Sequence, residues 1–489
     1  FWIEDVQRTF DEFKRDKGGE PGQPVSGEIL YGAVEMCRSM LALVTGDQQG
    51  AMEWLQRALE LVPRDNPYAA SILALEEGLY AILLGDTTTA IETLREGVQL
   101  ARNANNLLFM IVARCQLAEM LALQGYLSQA LATLQKSYLI AQRPDGTALP
   151  LSGIVDNTYG EILRERNLLP ESKQYLERGC RLTQAWWSMG TLDGMLSLSR
   201  VLQSTGDITG AQRQIDEAWR LAVSTESSRW DQLLVSAVAV RLALQRQDLA
   251  GASRWWERSG LLSQANIISR ERYPYAIFEF LLLTQVRFHL AVDREAGDFQ
   301  RIRQTLELLK SLLPDVEQYK RVTSHIEILV LKALTECALN ETDQAVQTFS
   351  TALALGEPEN YRRIYLDEGP PAADLLERCR SSSAQPSGHL PSTAYIDGLL
   401  EDWRREREVP SPDTPGVTTL VNGFPVSLSA REMQVLSLIA EGRSNREIGE
   451  ELYLTLNTVK RHIYNIFAKL EVKKRTHAVI KARRLGLIP

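Results

Sequence analysis

The run Gly125-Tyr126-Leu127-Ser128-Gln129-Ala130-Leu131-Ala132-Thr133-Leu134-Gln135-Lys136-Ser137 decides the fold. A turn-forming residue is followed five positions later by a small one, then after four by a large apolar one, and after three by another small one. The turn/small pair recurs as Gly46/Ala51, Gly85/Ala90, Asn167/Ser172, Gly206/Ala211, Gln247/Ala252 and Asn340/Ala345, with Gly297/Ile302 filling the gap. Steps between turns run 39, 40, 42, 39, 41, 50 and 43 residues. The large positions are Leu55, Leu94, Leu134, Leu176, Ile215, Trp256, Leu306 and Phe349. The closing small positions are Ala58, Gly97, Ser137, Gly179, Ala218, Ser259 and Ala352, with Leu309 as the exception. Seven residues before each turn sits a further small residue: Ser39, Gly78, Ala118, Gly160, Ser199 and Ala333, from which Val240 and Leu290 depart.

Positions i, i+4 and i+7 share one helix face. The small, large, small order lets a second helix approach closely around one bulky knob. Each unit therefore reads as helix, short turn, helix, and such a hairpin buries its apolar face only by stacking on its neighbours. This register resembles tetratricopeptide repeats over Gly27–Gly356, with a period nearer 40 than the usual 34 and an irregular join at the 50-residue step. Pro63, twelve after Ala51, matches the proline that ends a repeat in that family. A stack of this kind carries no reaction chemistry of its own and offers a groove for a small-molecule or protein effector. The pairs Trp186-Trp187 and Trp255-Trp256 are candidates for that groove, although Trp256 falls on a packing position.

Composition agrees with a globular chain: 44% hydrophobic and 24% charged residues exclude global disorder. No run approaches the roughly 18 consecutive apolar residues of a bilayer span, and the start at Phe1-Trp2-Ile3 lacks the features of a signal peptide. A start without Met is expected of a piece of a longer chain. Five cysteines without a C-x-x-C read as reduced thiols, so a cytoplasmic location and no membrane partner are expected. The net charge of −8 is unevenly spread, because the last 62 residues carry 12 Lys/Arg against 6 Asp/Glu. An acidic body with a basic tail points to a tail that meets polyanions.

After Gly356 the repeat stops. Residues 357–378 form an end segment with a helix expected after Pro370-Pro371, and 379–427 a linker with a helix at 394–407 and a hairpin around Asn422-Gly423. Residues 1–26 are a lead-in. Leu428–Pro489 divides into four helices by its caps: Ser429…Glu432 and Ser444…Glu447 are capping boxes, Thr455 caps a third helix, and Gly442 and Gly486 end helices. The second and third are joined by about three residues, a helix-turn-helix. On the third, Val459, Ile463, Ile466, Phe467 and Leu470 form a buried stripe. The other face presents Asn457, Arg461, Tyr464, Asn465 and Ala468, with Lys460 on its flank. Arg or Lys can read guanine edges and Asn adenine. Arg446, Lys469, Lys473, Lys474 and Arg475 surround that helix as phosphate contacts.

The motif from Leu428-Ser429-Ala430-Arg431-Glu432 through Asn445-Arg446-Glu447-Ile448 and Thr458-Val459-Lys460 to Lys469-Leu470 and Arg475 resembles the LuxR-type DNA-binding domain nearly end to end. Gly449 departs, standing where alanine is usual. The resemblance implies base reading by Lys460, Arg461 and Tyr464, phosphate contact by Asn445, Thr458, Lys469 and Arg475, and pairing on two half-sites through the last helix. The segment Arg363-Ile364-Tyr365-Leu366-Asp367-Glu368-Gly369-Pro370-Pro371 extends the similarity to large ATP-dependent LuxR-family activators of the maltose-regulon-activator type. That resemblance implies an activator acting on double-stranded promoter DNA, RNA polymerase as partner, self-association on DNA, and ATP bound by an NTPase module upstream. This chain contains no Gly-Lys dipeptide, hence no phosphate-cradling G-x-x-x-x-G-K-[ST] loop, so no cofactor is expected within it: either the NTPase part lies upstream of Phe1 or this is a reduced relative without it.

The expected fold is all-α: a tetratricopeptide-like superhelical solenoid of about eight helical hairpins followed by a small four-helix helix-turn-helix domain. Two function classes remain open: a transcription regulator, and a repeat-based interaction scaffold in which DNA binding is secondary. An enzyme is disfavoured, since H-E-x-x-H, G-x-S-x-G and metal-ligand spacings are absent; no catalytic or metal-binding residue is expected.

Overall fold

The computed structural model describes residues 32, 34–39, 42, 47–61, 67–138, 140–141, 148–184, 188–224, 229–260, 268–270, 273–382, 390–408, 418–421, 424–427, 430–451, 459, 463, 466–467, 472 and 474–484. The chain forms two compact units, residues 1–201 with 213–401 and residues 202–212 with 402–489.

Helical residues 34–39 precede α1 (Gln48–Leu61). Hairpins then follow in order: α2 (Pro67–Leu84) and α3 (Thr87–Asn103), α4 (Leu107–Leu123) and α5 (Leu127–Tyr138), α6 (Ser152–Glu165) and α7 (Leu169–Thr183), α8 (Ser188–Ser204) and α9 (Ile208–Ser224). They continue as α10 (Arg229–Gln245) and α11 (Leu249–Arg258), α12 (Tyr275–Ala296) and α13 (Phe299–Gln318), α14 (Val322–Ala338) and α15 (Thr342–Gly356). The predicted turn residues Gly85, Gly125, Asn167, Gly206, Gln247, Gly297 and Asn340 all adopt left-handed backbone, with φ between 60° and 85°; Gly46 lies outside the described residues. In several units the next residue is an aspartate that caps the second helix. The carboxylates of Asp47, Asp86, Asp248 and Asp298 accept from the backbone N–H of Gly50, Thr89, Gly251 and Arg301 at 2.8–3.1 Å. One left-handed residue stops the first helix and one Asp starts the second, which keeps the hairpin tight.

The crossing follows the register. A Cβ built on Gly78 would lie 2.7 Å from Leu94 Cδ2, and one on Gly160 2.6 Å from Leu176 Cγ. Each knob thus sits directly on the small residue opposite. Backbones also meet, since Ser172 Oγ donates to the Gly160 carbonyl at 2.6 Å and Ser39 Oγ to that of Ala51 at 3.1 Å. Ser259 departs: α11 ends at Arg258, and Ser259 is its half-buried C-cap. Trp256 takes the knob position there and stacks on Phe288 at 5.7 Å. It is a core residue, not a groove residue. Trp255 packs edge-on against Trp219, with Arg258 over both rings. Trp186 and Trp187 lie outside the described residues.

The stack winds far enough for early repeats to meet late ones. Arg321, fully buried, donates from Nη1 to the Gly85 carbonyl at 2.7 Å. The Ala122 carbonyl accepts from Thr323 Oγ1 at 2.8 Å and from Tyr361 OH at 2.9 Å. The Glu165 carbonyl accepts from the Arg362 N–H at 3.0 Å. A Cβ on Gly125 would fall 2.9 Å from Val322 Cγ1. The end segment seals this seam through α16 (Arg363–Leu366) and α17 (Pro370–Ser382), with Tyr361 and Tyr365 fully buried. Helix α17 starts at the proline pair itself, one step earlier than expected. In α18 (Thr393–Glu408), Ile396, Leu399 and Leu400 are buried, and Arg362 Nη1 donates to the Gly398 carbonyl at 3.2 Å. The expected linker helix is therefore docked on the end segment.

Between the repeats and the end segment lies a cavity of about 510 Å³ whose lining includes Arg164, Arg200, Arg241, Arg287, Glu327 and Asp367. Helices α2 and α12 each contain an 18-residue window apolar enough to cross a bilayer, yet half of each window is buried inside the protein. Packing on both sides within the stack accounts for that hydropathy.

Two predictions follow from this packing. Gly160→Ala forces its methyl onto Leu176 and should cost about 1–3 kcal/mol. Gly97→Ala meets nothing closer than 3.4 Å and should be neutral or stabilising by up to about 1 kcal/mol through helix propensity. Thermal unfolding of both variants checks the contrast. Separately, Glu76 is buried mid-helix with neither carboxylate oxygen hydrogen-bonded, and burial lifts its carboxyl to about 8. A carboxyl raised on folding destabilises as pH climbs from its unfolded value towards the folded one. Glu76→Gln should change little below pH 4.5, gain stability up to about pH 8 and plateau above it, by ~2–4 kcal/mol.

Candidate nucleic-acid interface

The tail begins with an antiparallel hairpin of β1 (Thr418–Val421) and β2 (Phe424–Ser427), in which Val421 faces Phe424. The two-residue connection falls on Asn422-Gly423, as the sequence predicts. Pro425 pairs opposite Leu420, tolerated because both strands of a two-stranded ribbon are edges.

Helix α19 (Ala430–Ala440) sends Val435, Leu436, Leu438 and Ile439 into the tail's core. Its end is fixed by Gly442 at φ 85°, with the Arg443 N–H on the Leu438 carbonyl at 3.0 Å and the Gly442 N–H on that of Ile439 at 3.1 Å. This Schellman turn satisfies two helix-end carbonyls. Helix α20 (Asn445–Glu451) opens with the predicted capping box: the Ser444 N–H donates to Glu447 Oε2 at 2.7 Å and the Glu447 N–H to Ser444 Oγ at 3.3 Å. The backbone bond from Ser444 also holds the Glu447 carboxyl below its usual range.

Val459, Ile463, Ile466 and Phe467 are helical. Val459 and Ile466 are fully buried in the same core, and Ile463 and Phe467 pack against it. The apolar stripe predicted for the third helix is therefore present at its four described positions; Leu470 lies outside them. The Val472 N–H reaches back to the Phe467 carbonyl at 2.9 Å. The last helix, α21 (Arg475–Arg484), contributes Ala478 and Ala482, both fully buried.

Of the predicted contact residues, Asn445, Arg446, Lys474 and Arg475 are described. Asn457, Thr458, Lys460, Arg461, Tyr464, Lys469 and Lys473 lie outside the described residues, as do the Ser429 and Thr455 caps. Arg446 and Lys474 are exposed. Lys474 also gives its carbonyl to the Ala478 N–H at 3.0 Å, which opens α21. Arg475 is half-buried, and that desolvation lowers its pKa. Its Nη1 donates to Asn445 Oδ1 at 3.0 Å and its Nη2 to the Arg443 carbonyl. Arg475 thus ties the start of α21 to the start of α20. With Asn445 Oδ1 held as acceptor, the amide nitrogen of Asn445 is left as the end that can donate to a ligand oxygen. Sequence reasoning gave Arg475 a phosphate contact and missed this internal clasp, which has no sequence signature beyond the residue types. Among the described residues no cluster of His, Cys, Asp and Glu could hold a metal ion.

The family described as MalT-like TPR region matches residues 32–382. The chain belongs to that family. The description "bacterial regulatory proteins, luxR family" matches residues 426–482, the hairpin's second strand and the helices after it. The chain is 24% identical over 477 residues to the HTH-type transcriptional regulator MalT of Cronobacter sakazakii, covering 95% of this chain and 51% of that protein. It is 22% identical over 462 residues to the MalT of Vibrio cholerae, covering 93% and 49%. The chain spans about half the length of the curated relatives it matches. Among solved structures, a Rap protein complexed with competence and sporulation factor superposes with a TM-score of 0.51 at 12% identity, covering 73% of this chain and 93% of that one. That likeness concerns the repeat fold alone. The family match runs past Gly356 to residue 382, in keeping with an end segment that is built into the seam.

Removing the clasp should loosen the tail without touching the repeats. Arg475→Met should destabilise the tail by about 1–3 kcal/mol, since it strips a charge-assisted bond from a half-buried site. Ser444→Ala, which loses only the cap, should cost about 1 kcal/mol. Hydrogen exchange of the Asn445–Glu451 amides checks the order: faster in both variants, and faster in Arg475→Met.

Proposed function

We propose that this chain is part of a bacterial transcription regulator, an activator, that binds double-stranded promoter DNA through residues 428–489. The observation that carries this reading is the luxR-family match over a tail whose described residues assemble one core with a capped second helix and a one-sided apolar stripe on the third. By helical periodicity, Asn457, Arg461 and Tyr464 fall away from that stripe with Lys460 on its flank, and these four are the base-reading residues. Asn445, Arg446, Thr458, Lys469, Lys473 and Lys474 are the phosphate contacts. Arg475 supports Asn445 from behind and adds its charge.

The repeat body acts as effector site and assembly surface. Its cavity takes the effector, and self-association sets two tails on two half-sites. RNA polymerase is the partner at the promoter, the setting is the cytoplasm, and no reaction is catalysed within this chain. ATP enters through a nucleotide-binding module on a longer chain. Support for these parts is the family membership and the names of the relatives, of which this chain covers about half.

Footprinting on promoter DNA tests the reading. Lys460→Ala with Arg461→Ala should weaken specific binding about a hundredfold or more at unchanged helix content. Specific binding should also fall about a thousandfold or more between 50 and 200 mM salt, because each phosphate contact releases counterions. A double variant that still protects the same operator would contradict the base-reading assignment, and a flat salt response would contradict the phosphate contacts. A partner protein retained on the repeats at full strength without the tail, with no DNA protected by the intact chain, would favour the scaffold reading.

A further inference from the structure

The cavity among the repeats is lined by both charged and apolar side chains, with arginines and carboxylates in nearly equal number. Its carboxylates are largely spent on arginines. Glu327 accepts from Arg241 at 2.9 Å and from Arg287 at 2.8 Å. Glu368 accepts from Arg287 Nε at 2.8 Å, and Asp367 takes Arg164 at 2.9 Å as well as Arg363. Burial pushes Glu327 and Asp367 up, yet their guanidinium partners more than reverse it and hold both at about 2.

Arg241 differs from its neighbours. Its Nε donates to Thr284 Oγ1 at 2.7 Å, its Nη1 to Glu327 and its Nη2 to the Phe280 carbonyl at 3.1 Å, while the guanidinium lies 4.0 Å over the Phe280 ring. Four attachments fix the plane of the group. A guanidinium has five N–H donors, so each terminal nitrogen keeps one that these bonds do not use. The nearest carboxylate, Glu327, is shared with Arg287. Desolvation and the positive charges of Arg287 and Arg200 lower Arg241 to about 9, whereas Arg164 and Arg287 are raised. Of Arg164, Arg241 and Arg287, Arg241 is the one whose charge its carboxylate neighbours offset least. Leu242, Leu290, Leu331 and Leu334, on the same helices as Arg241, Arg287 and Glu327, also line the cavity.

We propose that this cavity binds a small organic anion, its carboxylate or phosphate head taken by the two unspent N–H donors of Arg241 and its apolar body laid against the lining leucines. The inference rests on the reading of the cavity as the effector site and names the chemistry of that effector. A two-oxygen head matches the fork of a guanidinium, and a fixed, desolvated fork loses little entropy on binding. The rival occupant is a cation at Glu161, whose Oε2 is buried without a donor. Arg164 at 3.1 Å and Arg200 at 2.8 Å already bond that carboxylate, so an ammonium there would meet two guanidinium groups.

Isothermal titration of the whole chain with hexanoate, hexyl phosphate, hexan-1-ol and hexylamine tests the proposal. These probes share one apolar body and differ only in the head. Hexanoate or hexyl phosphate should bind saturably at one site, the tighter of the two naming the head group. Hexanol should bind at least about tenfold more weakly, and hexylamine not at all. Arg241→Lys keeps the charge but not the fork and should weaken the anion about tenfold; Arg241→Met should abolish it, with far-UV circular dichroism unchanged. Equal binding of hexanol, preferential binding of hexylamine, or no saturable binding of either anion overturns the proposal. Promoter footprinting on the same preparations separates it from the regulator reading: anion binding can fail while the tail protects DNA, and the reverse.

Discussion

Arg321 holds together residues that the repeat pattern alone would never bring near each other. It is fully buried, joins the Gly85 carbonyl to Asp315 and to the Tyr275 hydroxyl, and lies 3.8 Å over the Tyr275 ring. In an ordinary repeat stack each unit touches only its neighbours, so stability grows by local increments and the lumen stays open. Here the second repeat is fastened to the seventh and eighth. Burial alone would push the Asp315 carboxyl up, yet Arg321 holds it below its usual range, so the pair is formed as ions. Removing either member would leave an uncompensated charge at the seam, the costly way to break such a pair. Arg164 of α6 meets Asp367 of the end segment across the same seam, and both line the cavity.

How much of this was legible in the sequence depends on range. Contacts within one hairpin recur with the period, so they could be read: the seven described turns are left-handed, and Leu94 and Leu176 sit on Gly78 and Gly160 as the register requires. The aspartate caps recur too. They stand one residue after the turn, at Asp47, Asp86, Asp207, Asp248 and Asp298. The seam could not be read. Arg321 and Gly85 are 236 residues apart, occur once each in that pairing, and have no periodic signature. Arg321 stands just before α14, where a lone arginine looks like surface. The tail shows the same division. The capping box Ser444…Glu447 is a local four-residue signal and it formed. For Arg475 the local pattern indicates a phosphate contact; the long-range part, one bond from each terminal nitrogen to Asn445 and to the Arg443 carbonyl, 30 and 32 residues back, has no such signal.

The two units answer different physical problems. The repeat body spends buried charge on closure and on the cavity wall, where hydrocarbon would have packed as well. Charge placed so is weak evidence for stability and stronger evidence for specificity. The tail is small, and among its described residues nine apolar side chains are buried in one core. Capping, the Schellman turn at Gly442 and the Arg475 clasp are the devices by which so small a core keeps its helices in register. A tail held this way can present one face to a regular, highly charged surface such as a DNA groove.

Genome-wide DNA occupancy of the native protein, with and without residues 428–489, tests the central claim most directly. The account predicts discrete promoter peaks that disappear with those residues while the repeat-bearing remainder stays folded and abundant. Peaks that persist without the tail, or an intact protein with no promoter peaks under any growth condition, would contradict it.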